Sequence, residues 1–163
     1  MSLDKVYRQI KGVGFDTDED SLASLGLEIH HTSLVFPSLS DLTVTFTAPV
    51  GVDTYSVWAE IVDSGANTLS NIFAADDGHL SAVVVEVFDT ADKNYIFQIS
   101  YGAAKVIITT IRFHGDGAPG HVIKVDTRTR GPAIPAGETV YYRMMCETGS
   151  ATCLVSFRYH IHT

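Results

Sequence analysis

The chain should fold as an all-β protein, an antiparallel β-sandwich or jelly roll of about eight strands with a short N-terminal helical or extended arm. Three features say so. From about residue 29 the apolar residues recur with a period of two, the repeat of a strand with one face in a core and the other in solvent. Turn-forming clusters separate these segments at sandwich-like spacing: Pro49 to Gly51, Asp76 to Gly78, Asp89 to Lys93, Gly102, Gly115 to Gly120, and Gly131-Pro132. Long helical patterns are missing after residue 28, which excludes a parallel α/β sheet. At 163 residues the chain can bury a core of ordinary size without staples.

In chain order, residues 1–28 make the arm and residues 29–163 the sandwich. Leu3, Val6, Tyr7 and Ile10 have helical spacing, and Gly12 and Gly14 stop that helix. An acidic run from Asp16 to Asp20 follows, then Leu22, Leu25 and Leu27. In the sandwich, Leu42, Val44 and Phe46 alternate with Thr43, Thr45 and Thr47. Tyr55, Val57, Ala59 and Ile61 alternate with Ser56, Trp58 and Glu60. Leu80 to Phe88 is a β-branched run rich in valine, the mark of a strand. Tyr95 to Tyr101 and Ile107 to His114 alternate again. Val122 to Asp126, Val140 to Cys146 and Leu154 to His162 complete the set, the last two read as a closing hairpin around a polar loop, Glu147 to Thr152.

Composition narrows the function classes. The formal net charge is −8, the wrong sign for a protein that coats nucleic acid. No apolar run is long enough to span a bilayer, and the charged N-terminus (Asp4, Lys5, Arg8, Lys11) lacks a signal-peptide core. The expectation is a soluble protein made in the cytoplasm, with no membrane partner. Cys146 and Cys153, either side of the polar loop, then read as free thiols, with a cross-strand disulfide as the alternative.

No catalytic constellation emerges, and no cofactor is assigned. A Gly-x-Ser-x-Gly elbow and a phosphate-cradling glycine loop are both absent. Asp16, Asp18 and Asp20 imitate a calcium loop, but Ser21 and Leu27 stand where it needs Gly and Glu. His160 and His162, two apart on a strand, share a face and are the candidates for a metal site. Spacing fixes no third ligand within the chain, although three copies around a threefold axis would complete an octahedron, so no metal is assigned. His30 and His31 are adjacent and face opposite ways, and His114 and His121 flank a glycine-rich loop. A cupin-like metal enzyme fits least, because the His-x-His stands at the chain's end with no glutamate after it. For ligand contact the candidates are the exposed aromatic Trp58 and the loop residues Asp76, Asp77, His114 and Asp116.

Two segments carry a resemblance: Tyr95-Ile-Phe-Gln-Ile-Ser-Tyr-Gly-Ala-Ala104, and Ile134-Pro-Ala-Gly-Glu-Thr-Val-Tyr-Tyr-Arg143 with the loop and strand that follow it. Residues 55–163 resemble bacteriophage and prophage β-sandwich virion proteins, in which an Ile-Pro-Ala-Gly turn opens the last hairpin. The resemblance implies a non-enzymatic virion accessory protein. It would be a capsid decoration (cement) protein, binding the major capsid protein or other virion proteins as a homotrimer. The alternative it implies is the receptor- or glycan-binding head of a phage fibre. On the first reading Leu3, Val6, Tyr7, Ile10 and Leu22 of the arm dock on a partner, each contributing roughly 1.5–3 kcal/mol when fully buried.

Overall fold

The computed structural model describes residues 34–117, 122–129 and 131–162, which belong to the compact unit Ser33–Thr163. The arm residues Leu3, Val6, Tyr7, Ile10 and Leu22, the acidic run from Asp16 to Asp20, and His30, His31 and His121 lie outside the described residues.

Among the described residues nine strands are seen: β1 (Leu34–Phe36), β2 (Val44–Thr47), β3 (Ala59–Glu60), β4 (Gly78–Phe88), β5 (Lys93–Tyr101), β6 (Val106–Gly115), β7 (Val122–Arg128), β8 (Val140–Cys146) and β9 (Thr152–Ile161). A single-turn helix, α1 (Leu69–Ile72), stands between β3 and β4. The strands form two antiparallel sheets. One runs β1-β9-β4-β7, with β2 also paired to β9; the other runs β3-β8-β5-β6. β1 and β2 line successive stretches of the same edge of β9, Phe36 opposite Phe157 and Val44 opposite Val155. Counted as two halves of one strand, they leave eight strands wound as a jelly roll. The break between them begins at Pro37, which has no N–H to give to a ladder.

Between the sheets the inward positions of both meet. Phe46 stacks on Tyr142 with ring centres 3.8 Å apart and meets Phe97 edge-on at 5.2 Å, joining the two sheets. Tyr95 stacks on Phe113 at 4.8 Å, and Phe73 after α1 caps one end against Tyr159. The alternation of β9 is the clearest: Cys153, Val155, Phe157 and Tyr159 are buried, while Leu154, Ser156, Arg158 and His160 point outward.

Two expectations about local structure are corrected. β8 and β9 are not a hairpin: β8 pairs with β3 and β5, β9 with β1, β2 and β4. Both strands have an inward apolar face, and each finds its ladder partners among strands distant in sequence, in opposite sheets. The loop after Cys146 therefore crosses from sheet to sheet. Cys146 and Cys153 are both free and buried, and burial raises both thiols' pKa values. The strand expected over residues 55–61 shrinks to Ala59–Glu60. Ser56 intervenes: its N–H donates to the Met144 carbonyl at 2.9 Å, and its hydroxyl accepts from the Met144 N–H at 3.1 Å. A side chain thus takes an acceptor's place in the ladder, and Val57 turns outward at 86% exposure.

Candidate functional site

Among the described residues, the outer face of the five-stranded sheet carries a group of three histidines and an apolar groove. β9 runs through the middle of this sheet, and its outward row is Leu154, Ser156, Arg158 and His160. β4 lies alongside with His79 directly opposite His160 and Val84 opposite Ser156. A register shift between Leu80 and Ala82 keeps both strands' outward rows aligned past that point.

At the end of this face three histidines converge. His79 and His160 are cross-strand partners, and His162 follows two residues later on the same side. The His162 N–H donates to the Asp77 carbonyl at 2.9 Å, which prolongs the β4–β9 ladder beyond its last paired residues and fixes where His162 emerges. Ring centres lie 5.2 Å apart for His79–His160, 4.7 Å for His79–His162 and 5.3 Å for His160–His162. One nitrogen from each ring can be chosen so that all three lie within 4.8 Å of one another. His79 and His160 are half-buried and His162 is exposed. Burial lowers the pKa of His79, the neighbouring His162 lowers it further, and a hydrogen bond to the Gly131 backbone opposes both. A hollow of about 300 Å³ opens beside them, lined by His79, Leu80, Ser81, Thr129, Gly131 and His160. Its wall is held by Thr129, whose N–H donates to the Ser81 carbonyl at 3.0 Å and whose hydroxyl donates to the Leu80 carbonyl.

Further along, the same sheet leaves apolar side chains exposed near β1. Leu34, Val35 and Leu39 are 45%, 48% and 60% exposed. Val35 and Leu39 border a second groove of about 300 Å³, made where the chain between β1 and β2 passes Glu86 of β4 and Val155 and Ser156 of β9.

The sequence candidates distribute unevenly over this frame. His160 and His162 are on it, and the third imidazole, His79, is one the sequence reading did not single out. Only the pairing of β4 with β9 brings it there, and neither spacing nor composition signals that pairing. Asp76 and Asp77 precede β4, and the Asp77 carboxylate accepts from the Ala136 N–H at 2.7 Å. His114 and Asp116 lie at the far end of the sandwich, beyond β4's other terminus. There His114 Nε2 meets the Asp92 carboxylate at 3.3 Å. An eleven-residue strand, about 35 Å long, separates the two pairs. Trp58 is elsewhere again, on the outer face of the other sheet. There the Arg143 guanidinium sits 4.5 Å from the Trp58 ring centre and 4.4 Å from that of Tyr55, and Arg143 Nε donates to Gln98 at 2.8 Å. The five residues do not build one site.

The fold is a jelly-roll β-sandwich whose five-stranded sheet carries a histidine cluster and an apolar groove on its outer face. Scans against family models and curated proteins returned no match for this chain.

Proposed function

We propose that the protein is a non-enzymatic structural component of an assembly, of the virion-accessory kind its sequence resembles, working through the outer face of the β1-β9-β4-β7 sheet. The observation that carries this reading is the apolar edge at β1, where Val35 and Leu39 stand exposed beside a groove on the outer face. A monomer gains nothing by keeping these two side chains together in water; burying them against another chain contributes about 25 cal/mol per Å². The jelly-roll winding agrees, since viral capsid and lectin domains are built on it. A net charge of −8 would help keep a coated particle dispersed.

The test is the solution mass of the full-length chain by light scattering, beside the double variant Val35→Asp, Leu39→Asp. The wild type should be an oligomer, a trimer on the resemblance, and the variant a monomer with an unchanged circular dichroism spectrum. A wild type that stays monomeric at high concentration would remove the self-association part of the reading.

The glycan-binding alternative rests on Trp58. With Arg143 packed on its ring, Trp58 serves the surface of the second sheet, and an array of immobilised glycans probed with wild type and Trp58→Ala tests it directly.

A further inference from the structure

We propose that His79, His160 and His162 together form a binding site, complete within one chain, for a late first-row divalent transition metal, zinc foremost. The argument is geometric. Imidazoles sharing one tetrahedral ion at about 2.0–2.1 Å per bond keep their ring centres about 5 Å apart. The three rings here already stand at 5.2, 4.7 and 5.3 Å. Their nitrogens, within 4.8 Å of each other, must close to about 3.4 Å around the ion. Side-chain rotation suffices for that, above all in His162, which is exposed and stands just past the end of β9.

The ligand chemistry selects the metal class. Three neutral imidazoles and no carboxylate suit zinc, nickel, cobalt or copper. Calcium and magnesium demand oxygen donors and are disfavoured. Two of the three ligands come from paired strands of a sheet, so the scaffold is rigid and the entropy cost of assembling the site is already met by folding. The hollow lined by His79, His160, Ser81 and Thr129 opens beside the rings, which leaves room for a water or an incoming donor group as a fourth ligand. No symmetry axis is needed to bring ligands together, in contrast to a site that uses His160 and His162 alone. The site stands whether or not the sandwich works in an assembly.

The experiment uses the untagged full-length chain, stripped with chelator, then equilibrated with zinc or cobalt and measured for bound metal per chain. One ion per chain is expected, and the cobalt form should show the intense visible absorption of a four-coordinate centre. Replacing any one ligand, as in His79→Ala, His160→Ala or His162→Ala, should weaken binding roughly tenfold or more, since even outer-shell changes cost that much. His114→Ala, at the far end of the sandwich, should bind like the wild type. Circular dichroism verifies folding, and should His79→Ala fail to fold, the exposed His162→Ala and the milder His79→Gln carry the test. One ion per three chains, full affinity retained in the His79 variants, or no stoichiometric binding at low-micromolar metal would each overturn the proposal.

Discussion

At the scale of single residues, Asp63 shows how one buried carboxylate organises a turn. Its Oδ1 accepts from the N–H groups of Gly65 and Asn67 at 2.8 and 2.9 Å, and the Asn67 side-chain amide donates to both its oxygens. Burial pushes its pKa up, but these hydrogen bonds outweigh that and hold it below the ordinary value. A carboxylate depressed in the folded state contributes stability that is complete above the ordinary value, about pH 4, and is lost as pH falls through the folded value. Asp63→Asn places an amide N–H₂ against the Asn67 amide and should cost about 1–3 kcal/mol at pH 7 by urea denaturation. The gap between wild type and variant should narrow by pH 3; a constant gap would mean the charge is irrelevant. Gly78 makes a second residue-scale case. A Cβ there would stand 2.6 Å from the His160 carbonyl oxygen and 2.6 Å from Phe73 Cε1. Backbone and ring would both have to move, so Gly78→Ala should lower stability by roughly 1–3 kcal/mol. A thermal melt that matches the wild type would show the pocket is softer than these distances imply.

At the scale of elements, the aromatic seam joining the sheets should dominate the energetics. Phe46 of β2 touches Tyr142 of β8, Phe97 of β5 and Phe157 of β9, so it belongs to both layers. Truncation to Ala removes contacts on every side at once, and Phe46→Ala should cost about 3–5 kcal/mol in chemical denaturation. A loss under 1 kcal/mol would show that the sheets can collapse onto the gap. Most of this architecture was legible in the sequence, because a half-buried strand writes its period of two directly into residues such as Val44, Phe46, Tyr95 and Phe97. What was not legible has physical causes. β1 is only three residues long, too short to display a period. α1 is one turn, held by Thr68 as N-cap and by Ser70, whose hydroxyl donates to Glu60 at 2.6 Å and accepts from the Val140 N–H at 3.0 Å. Thr68 is a local capping signal, but the Ser70 bonds are tertiary, and one cap before a single turn is too little to mark a helix. The β8–β9 connection was misread because a short polar loop suits a hairpin and a sheet-to-sheet crossing equally well. Only partner choice separates them. The histidine cluster was half legible for the same reason: His160 and His162 lie along one strand, whereas His79 depends on which strand lies beside it.

At the scale of the whole molecule, β9 is the strand on which the fold depends. It pairs with β1 and β2 on one side and β4 on the other, so it ties residues from the start, middle and end of the sandwich into one sheet. Contacts between segments this far apart in sequence must wait for large loops to close, which places folding in the millisecond-to-second range. Until β9 arrives, the facing edges of β2 and β4 have no ladder, and Phe46 has lost one of its three aromatic neighbours. A chain ending at Ala151 should therefore lack a cooperative unfolding transition and show little near-ultraviolet circular dichroism. The vacant slot between β2 and β4 is a template for one extended strand, so a synthetic peptide spanning residues 152–163 should dock there and restore the transition. Rescue should also depend on side-chain alternation: a peptide carrying Phe157→Asp would put a charge into the core and should fail. A truncated chain that unfolds cooperatively without peptide would show that the remaining strands hold the core by themselves, and that β9 closes the sandwich without organising it.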